Sequence, residues 1–144
     1  MSSNLKIIFD NECLKHINLF QSITKASVKD CIIDLDKIMF VVKEGQAGLA
    51  IGKNGANIKN LQRLIKKKVE IIEFNNDLKS FLDNIFRPVK VKESVNVDGG
   101  NRRVVKVSVE NDNHINSKSY VKSKVKKARG LLKRYFNIDD INIV

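Results

Sequence analysis

Apolar side chains recur along this chain at two spacings, one near 3.6 residues and one of 2, and the switches between them lay out its elements. Cys13, Ile17 and Phe20 stand at i, i+4 and i+7 behind Glu12, so residues 11–24 read as an amphipathic helix that Asp10 is placed to cap. Val28 to Ile33 is dense in β-branched residues, and Ile38, Phe40 and Val42 alternate beyond a turn at residues 34–37, which makes a hairpin. A short apolar stretch, Leu49 to Ile51, is interrupted by glycines before Ile58, Leu61, Leu64 and Ile65 resume the helical period. Val69, Ile71 and Phe74 then alternate as a third strand.

A second round begins at Asn76, which is positioned to cap a helix with apolar positions Leu78, Phe81, Leu82 and Ile85, stopped by Pro88. Val89–Val97 and Val104–Val109 alternate on either side of Asp98-Gly99-Gly100-Asn101, a hairpin signal. Sliding the chain by 67 positions lays Ile38, Phe40 and Val42 on Val105, Val107 and Val109. The same slide lays Ile58, Leu64, Ile65, Val69 and Ile71 on Val125, Leu131, Leu132, Phe136 and Ile138. Such self-similarity is the mark of a tandem duplication. An α+β chain of two domains, residues 1–76 and 77–144, each with the order α-β-β-α-α-β, is expected.

Composition is compatible with this. The 144 residues suffice for two small domains with apolar cores, and the single proline argues against long disordered linkers. Cys13 and Cys31 form no CxxC pair, so they read as small buried fillers rather than metal ligands, and no cofactor is expected. No apolar run is long enough to cross a bilayer, and the opening MSSNLKIIFDNE has neither the basic nor the apolar region of a signal peptide. The expectation is a soluble, cytoplasmic monomer without membrane contact. No nucleophile, metal cluster or acid/base pair stands out, so an enzyme is not expected.

Charge changes the picture. With 27 Lys and Arg against 16 Asp and Glu, the chain carries a net +11, which favours a polyanionic partner unless the lysines merely solvate a surface. Distribution decides between these. From Gly45 through Val69 there is no acid, whereas Lys53, Lys59, Arg63, Lys66, Lys67 and Lys68 are all basic. A solvated helix face would mix signs; this stretch is an electrostatic footprint for phosphates.

At the head of that stretch lies Ala50-Ile51-Gly52-Lys53-Asn54-Gly55-Ala56-Asn57-Ile58. A P-loop needs four residues between its glycines and a hydroxyl after the lysine, and here only three residues separate Gly48 from Gly52, with Asn54 following Lys53. A nucleoside triphosphatase is thus a remote alternative. Glycines do allow a nucleic-acid backbone to come close where a Cβ would collide, and the helix that follows offers amide donors and partial positive charge to a phosphate.

The apolar lead-in, the GxxG tetrapeptide and Ile58 three residues beyond it closely resemble the K-homology (KH) RNA-binding module. The element order is similar to the type II form of that fold, with a three-stranded mixed sheet packed by helices. By this resemblance Gly52 and Gly55 would clamp about four nucleotides of single-stranded RNA. Lys53 and Asn54 would meet phosphate or sugar, and Asn57, Lys59 and Arg63 would continue the contact surface. Ala50, Ile51 and Ile58 would line the groove or underlie it, core being the default for the two isoleucines.

Two such modules with almost no linker resemble the archaeal short form of the NusA family of transcription factors. The segments that carry this are Leu19–Thr24, Asp30-Cys31-Ile32, Phe40–Lys53, Lys126–Arg129 and Lys133–Ile141. The resemblance implies action with RNA polymerase in elongation, termination or antitermination. A ribosomal or ribosome-assembly rRNA-binding role is the alternative, against which the tandem repeat counts.

The second half departs from the pattern: the 67-residue slide puts Ser119, Tyr120, Val121 and Lys122 where a second GxxG would stand, so its clamp is degenerate. Yet residues 113–138 hold eight basic side chains and no acid, and residues 77–144 carry 15 basic against 8 acidic groups. Lys118, Lys122, Lys124 and Arg129 are therefore expected to extend the RNA path, with Tyr120 either a stacking surface or packing against its sheet. His114 gets no functional reading.

Overall fold

The computed structural model describes residues 11–110 and 117–144. The chain divides into two compact units, Met1–Asn75 and Asn76–Val144. The cap expected at Asp10 and the residue His114 lie outside the described residues.

In the first unit α1 (Asn11–Thr24) precedes a hairpin of β1 (Val28–Ile33) and β2 (Lys37–Val42). Then come α2 (Ala47–Ile51), a 3-10 turn (Lys53–Gly55), α3 (Ala56–Ile65) and β3 (Lys68–Glu73). β2 is central, antiparallel to β1 and parallel to β3. The core lies on one face of this sheet, where Ile38, Phe40 and Val42 meet Phe20 of α1, Ala50 of α2 and Leu61 of α3. The Phe20 and Phe40 rings stand 4.2 Å apart between centroids. Burying each contributes about 1.5–3 kcal/mol, which fixes the helices over the sheet. β3 ends one residue short of Phe74, and Leu64, read as core from its spacing, is 47% exposed on the far side of α3.

The second unit repeats the order: α4 (Leu78–Phe86), β4 (Val91–Gly99), β5 (Arg102–Val109), α5 (Ser117–Ser123), α6 (Val125–Phe136) and β6 (Asp140–Ile143). Again the middle strand is central, antiparallel to the first and parallel to the last. The α4 cap is Asp77 rather than Asn76, its carboxylate accepting from the Ser80 backbone N–H at 3.0 Å; Asp and Asn cap about equally well, so residue type does not separate the two neighbours. Phe81, Leu82, Val105, Val107, Leu131 and Leu132 are buried, and Phe81 packs against the Phe136 ring at 5.7 Å.

The internal register is not one constant slide. Ile38 pairs with Val69 while Val105 pairs with Ile141, so the last strands correspond at 72 residues, not 67. Across the helices the offset is 71: Ala50 and Leu61 match Val121 and Leu132, all four fully buried. The helix-ending residues Lys66 and Asn137 match likewise, both left-handed. The expected matches of Val69 with Phe136 and Ile71 with Ile138 are thereby corrected, since Phe136 closes α6 and Ile138 lies before β6. Apolar residues at helical spacing satisfy several registers at once, which is why a single slide had looked sufficient.

Candidate nucleic-acid interface

The path from β2 into α2 is held by side chains that accept backbone protons. Glu73 Oε1 accepts from the N–H of Ala47 at 3.2 Å, opening α2, and Gln46 Oε1 accepts from Ser27 N–H at 2.9 Å. Fully buried Ala50 pins the short helix to the core. At Gly52 the chain turns sharply, with φ 78° and ψ 168°, after its N–H has closed α2 on the Gly48 carbonyl at 3.0 Å. Asn54 (φ 57°) and Gly55 (φ 75°) are left-handed, and Gly55 N–H returns to the Gly52 carbonyl at 3.1 Å.

The two glycines are required for different reasons. A Cβ at Gly52 would stand 2.8 Å from Asn57 Cγ and 2.9 Å from Asn57 backbone N, in a backbone region L-residues avoid. At Gly55 a Cβ would meet nothing nearer than Lys59 Cε at 3.9 Å, so only the positive φ calls for glycine. Asn57 explains the crowding. Its Nδ2 donates to the Leu49 carbonyl at 2.8 Å, tying the first turn of α3 to the end of α2 across the loop. Asn57, expected among the contact residues, is thus engaged in bracing the loop.

Lys53 and Asn54 are exposed at the tip, and Lys59 and Arg63 are exposed one turn apart along α3. Arg63 holds Asn60 Oδ1 at 2.6 Å, and among the described residues no carboxylate lies within ion-pair distance of Lys53, Lys59 or Arg63. α3 begins at this loop, so its amide end and positive dipole face the same place as Lys53. The aliphatic surface is wider than the sequence reading: Ile51 is 40% exposed rather than core, Ile58 is half-buried, and Leu49 and Leu64 are 50% and 47% exposed. The unbroken run Leu49-Ala50-Ile51 was the available signal, because a helix with no polar residues must show some apolar ones to solvent.

The corresponding corner of the second unit is built differently. Ser119–Lys122, expected to replace the glycine loop, lie inside α5, and the 71-residue match places Ser123-Lys124-Val125-Lys126 there instead. The helices are separated by Lys124 alone. Its ammonium lies 5.2 Å from the Tyr120 ring, whose hydroxyl donates to the Arg87 carbonyl at 2.8 Å. The hydroxyl thus ties Tyr120 to the segment between α4 and β4. Arg129, expected on the RNA path, instead donates to Asp140 Oδ1 at 2.9 Å, and Lys133 to Asp139 Oδ1 at 2.7 Å. These bonds hold both aspartates below the ordinary carboxylate range, with the N–H groups of Arg103 and Ile141 adding to the effect. Lys118 and Lys122 are exposed one turn apart on α5.

Gly52–Gly55 are thus a braced glycine loop at a helix N-terminus, with exposed Lys53, Lys59 and Arg63 about it. A KH domain family model matches residues 16–129, and the chain belongs to that family. Within it, the chain is an archaeal NusA-like protein. It is 43% identical over 105 residues to the "Probable transcription termination protein NusA" of Methanococcus vannielii, covering 73% of this chain and 61% of that one. It is 30% identical over 141 residues to the protein of the same name from Thermoplasma acidophilum, covering 96% of each. The crystal structure of APE1850 superposes with a TM-score of 0.81 at 30% identity, over 94% of this chain and 100% of that one. The match spans less than two thirds of the Methanococcus relative's length.

Proposed function

We propose that this chain is a tandem type II KH protein, with domains at residues 1–76 and 77–144, that grips single-stranded RNA at Gly52–Gly55. It acts beside RNA polymerase in transcription elongation, termination or antitermination. The observation that carries the RNA reading is the turn itself: positive φ at Gly52, Asn54 and Gly55, with Gly52 closed against Asn57, sets exposed Lys53 and Asn54 at the point where α3 presents its amide end. Lys53 and Asn54 meet phosphate or sugar, Lys59 and Arg63 continue the cationic track, and Leu49, Ile51 and Ile58 offer aliphatic surface to bases. The second unit contributes charge through Lys118, Lys122 and Lys124 without a clamp. The role in transcription rests on the likeness to the NusA relatives.

Changing Lys53 and Asn54 together to Asp tests the grip. With three to four phosphates engaged, the wild-type log–log salt slope is about −2 to −3, and the double variant loses at least about tenfold in affinity while melting as wild type. A folded double variant with undiminished affinity for single-stranded RNA would refute the grip. Co-purification with polymerase rather than ribosomes separates transcription from rRNA binding.

A further inference from the structure

The outer faces of the two sheets, opposite their helices, differ. In the first unit this face carries Met39, Val41 and Ile72, all buried. In the second it carries Val95 and Val97 of β4 and Val104 of β5, and Val95 and Val97 are 49% and 40% exposed. Solvent-facing positions of an antiparallel pair are ordinarily polar, so a row of valines there marks a surface built to be covered. Beside it lies a cavity of about 310 Å³ lined by Val97, Gly99, Arg102, Val104, Lys106 and Asn142. Its floor is aliphatic and its rim cationic. Asp140 is shared between Arg102 at 3.1 Å and Arg129 at 2.9 Å, one carboxylate to two guanidinium groups, and Lys106 adds a further charge. Glu93, on the same face, lies beyond Val95, away from the cavity.

The first unit displays the complement. At the β1–β2 turn Leu35 is 99% exposed between the exposed acids Asp34 and Asp36. The turn is closed by Asp34 N–H on the Lys37 carbonyl at 2.8 Å. It is braced from β3, Lys67 Nζ donating to the Asp34 carbonyl at 3.1 Å and Lys68 N–H to the Asp36 carbonyl at 3.2 Å. A fixed tip presenting one aliphatic side chain between two carboxylates matches a cavity with an aliphatic floor and a cationic rim. Bases are a poorer occupant, because no aromatic ring lines the cavity for them to stack on.

We infer that the Asp34-Leu35-Asp36 tip of one copy docks into the Val97–Val104 cavity of the next, a head-to-tail contact between copies of this chain. Such a contact uses two different surfaces, so each copy can engage two neighbours, and copies add head to tail. A tip buries far less area than a stable dimer needs, so the contact is weak in free solution. On RNA, neighbours held at high effective concentration bind cooperatively. That last step rests on the RNA reading above; the contact itself does not.

The experiment uses the full chain. Sedimentation of free protein at rising concentration is expected to show a climbing average mass, abolished by Leu35→Asn and by Val104→Asp. Lys106→Glu, a change at an exposed position, serves as a second cavity variant should Val104→Asp fold poorly. Mixing the tip variant with a cavity variant restores pairs and nothing longer, since only one intact tip–cavity match remains. On single-stranded RNA several sites long, wild type binds neighbouring sites about tenfold more tightly than isolated ones, while both variants bind a one-site RNA as wild type does and lose the cooperativity. Constant mass at every concentration, or association that survives both kinds of variant, would overturn the contact. Loss of one-site RNA binding by wild type would overturn the RNA reading and leave the sedimentation result standing.

Discussion

The two helix–helix corners share their buried anchors, Ala50 with Leu61 and Val121 with Leu132, yet only the first keeps a glycine loop between them. In the first unit a five-residue helix ends at Ile51 and four residues make the turn into α3. In the second, α5 runs to Ser123 and Lys124 alone breaks it from α6. Exposed lysines stand at both corners, and a positive-φ glycine loop at only one. The difference has a physical basis: a lysine attracts phosphate from many positions, whereas an approach to backbone amides needs particular dihedrals and a missing Cβ.

Gly52→Ala separates the corners most strongly. The new methyl would sit 2.8–2.9 Å from Asn57, including its backbone nitrogen, at φ 78°. A strained backbone of this kind costs about 1–3 kcal/mol. The melting temperature is expected to fall and single-stranded RNA affinity to drop by more than about tenfold, because the loop must move to relieve the contact. Ser123→Ala at the matching position should leave both within error, measured by thermal melting and by titration with a labelled oligonucleotide.

Asn57→Ala has a smaller effect and a more informative one. It removes the 2.8 Å bond to the Leu49 carbonyl, worth about 1 kcal/mol, while leaving every loop cation in place. If Asn57 acts by bracing, affinity falls several-fold with the salt slope unchanged, and amide exchange at Leu49–Gly55 speeds up. A loss of affinity with a shallower salt slope and unaltered exchange would instead make Asn57 a direct contact. The matching residue in the second unit is buried Ala128, which has no amide to brace with.

Which parts of this were legible in sequence follows from what each part depends on. The Ile38-Phe40-Val42 alternation and the Leu78-Phe81-Leu82-Ile85 spacing are periodic and local, so β2 and α4 could be read within a residue or two. The glycine loop was legible because positive φ leaves a mark in residue type. The internal register was not, since hydrophobic spacing tolerates a slide of 67 where the helices need 71. Neither were the partners of Arg129 and Tyr120: their pairing with Asp140 and the Arg87 carbonyl depends on which residues the fold brings together. An acid-free run of sequence said nothing of the carboxylates that arrive at the start of β6 and just before it.

Those carboxylates give the second unit an acid sensitivity. Asp139 is held below its ordinary pKa first by Lys133 and then by the Arg103 N–H, and Asp140 first by Arg129 and then by the Ile141 N–H. A folded value below the unfolded one means the stabilisation is complete above the ordinary aspartate pKa of about 4 and is lost as pH falls through the lower folded value. Melting curves from neutral pH downward should therefore show a gap between wild type and Asp139→Asn that is constant above about pH 5 and closes on the acid side. A gap that persists unchanged to pH 2 would show that the carboxylate's charge is not what the second unit uses.

The finest separation concerns Tyr120, whose ring is where a stacked base and a packed side chain predict different things. Its hydroxyl donates to the Arg87 carbonyl and its face carries the Lys124 ammonium 5.2 Å away, so one ring surface and the polar end are already engaged. Tyr120→Phe removes only the hydroxyl and is expected to cost about 0.5–1 kcal/mol of stability with no change in RNA affinity. Tyr120→Leu then separates the readings. If the residue packs, the leucine variant is destabilised further but binds RNA as well as the phenylalanine variant. If it stacks, affinity holds in the phenylalanine variant and falls about fivefold or more in the leucine one, since a base needs an aromatic face. Anchoring of the hydroxyl and of one ring face favours the first outcome.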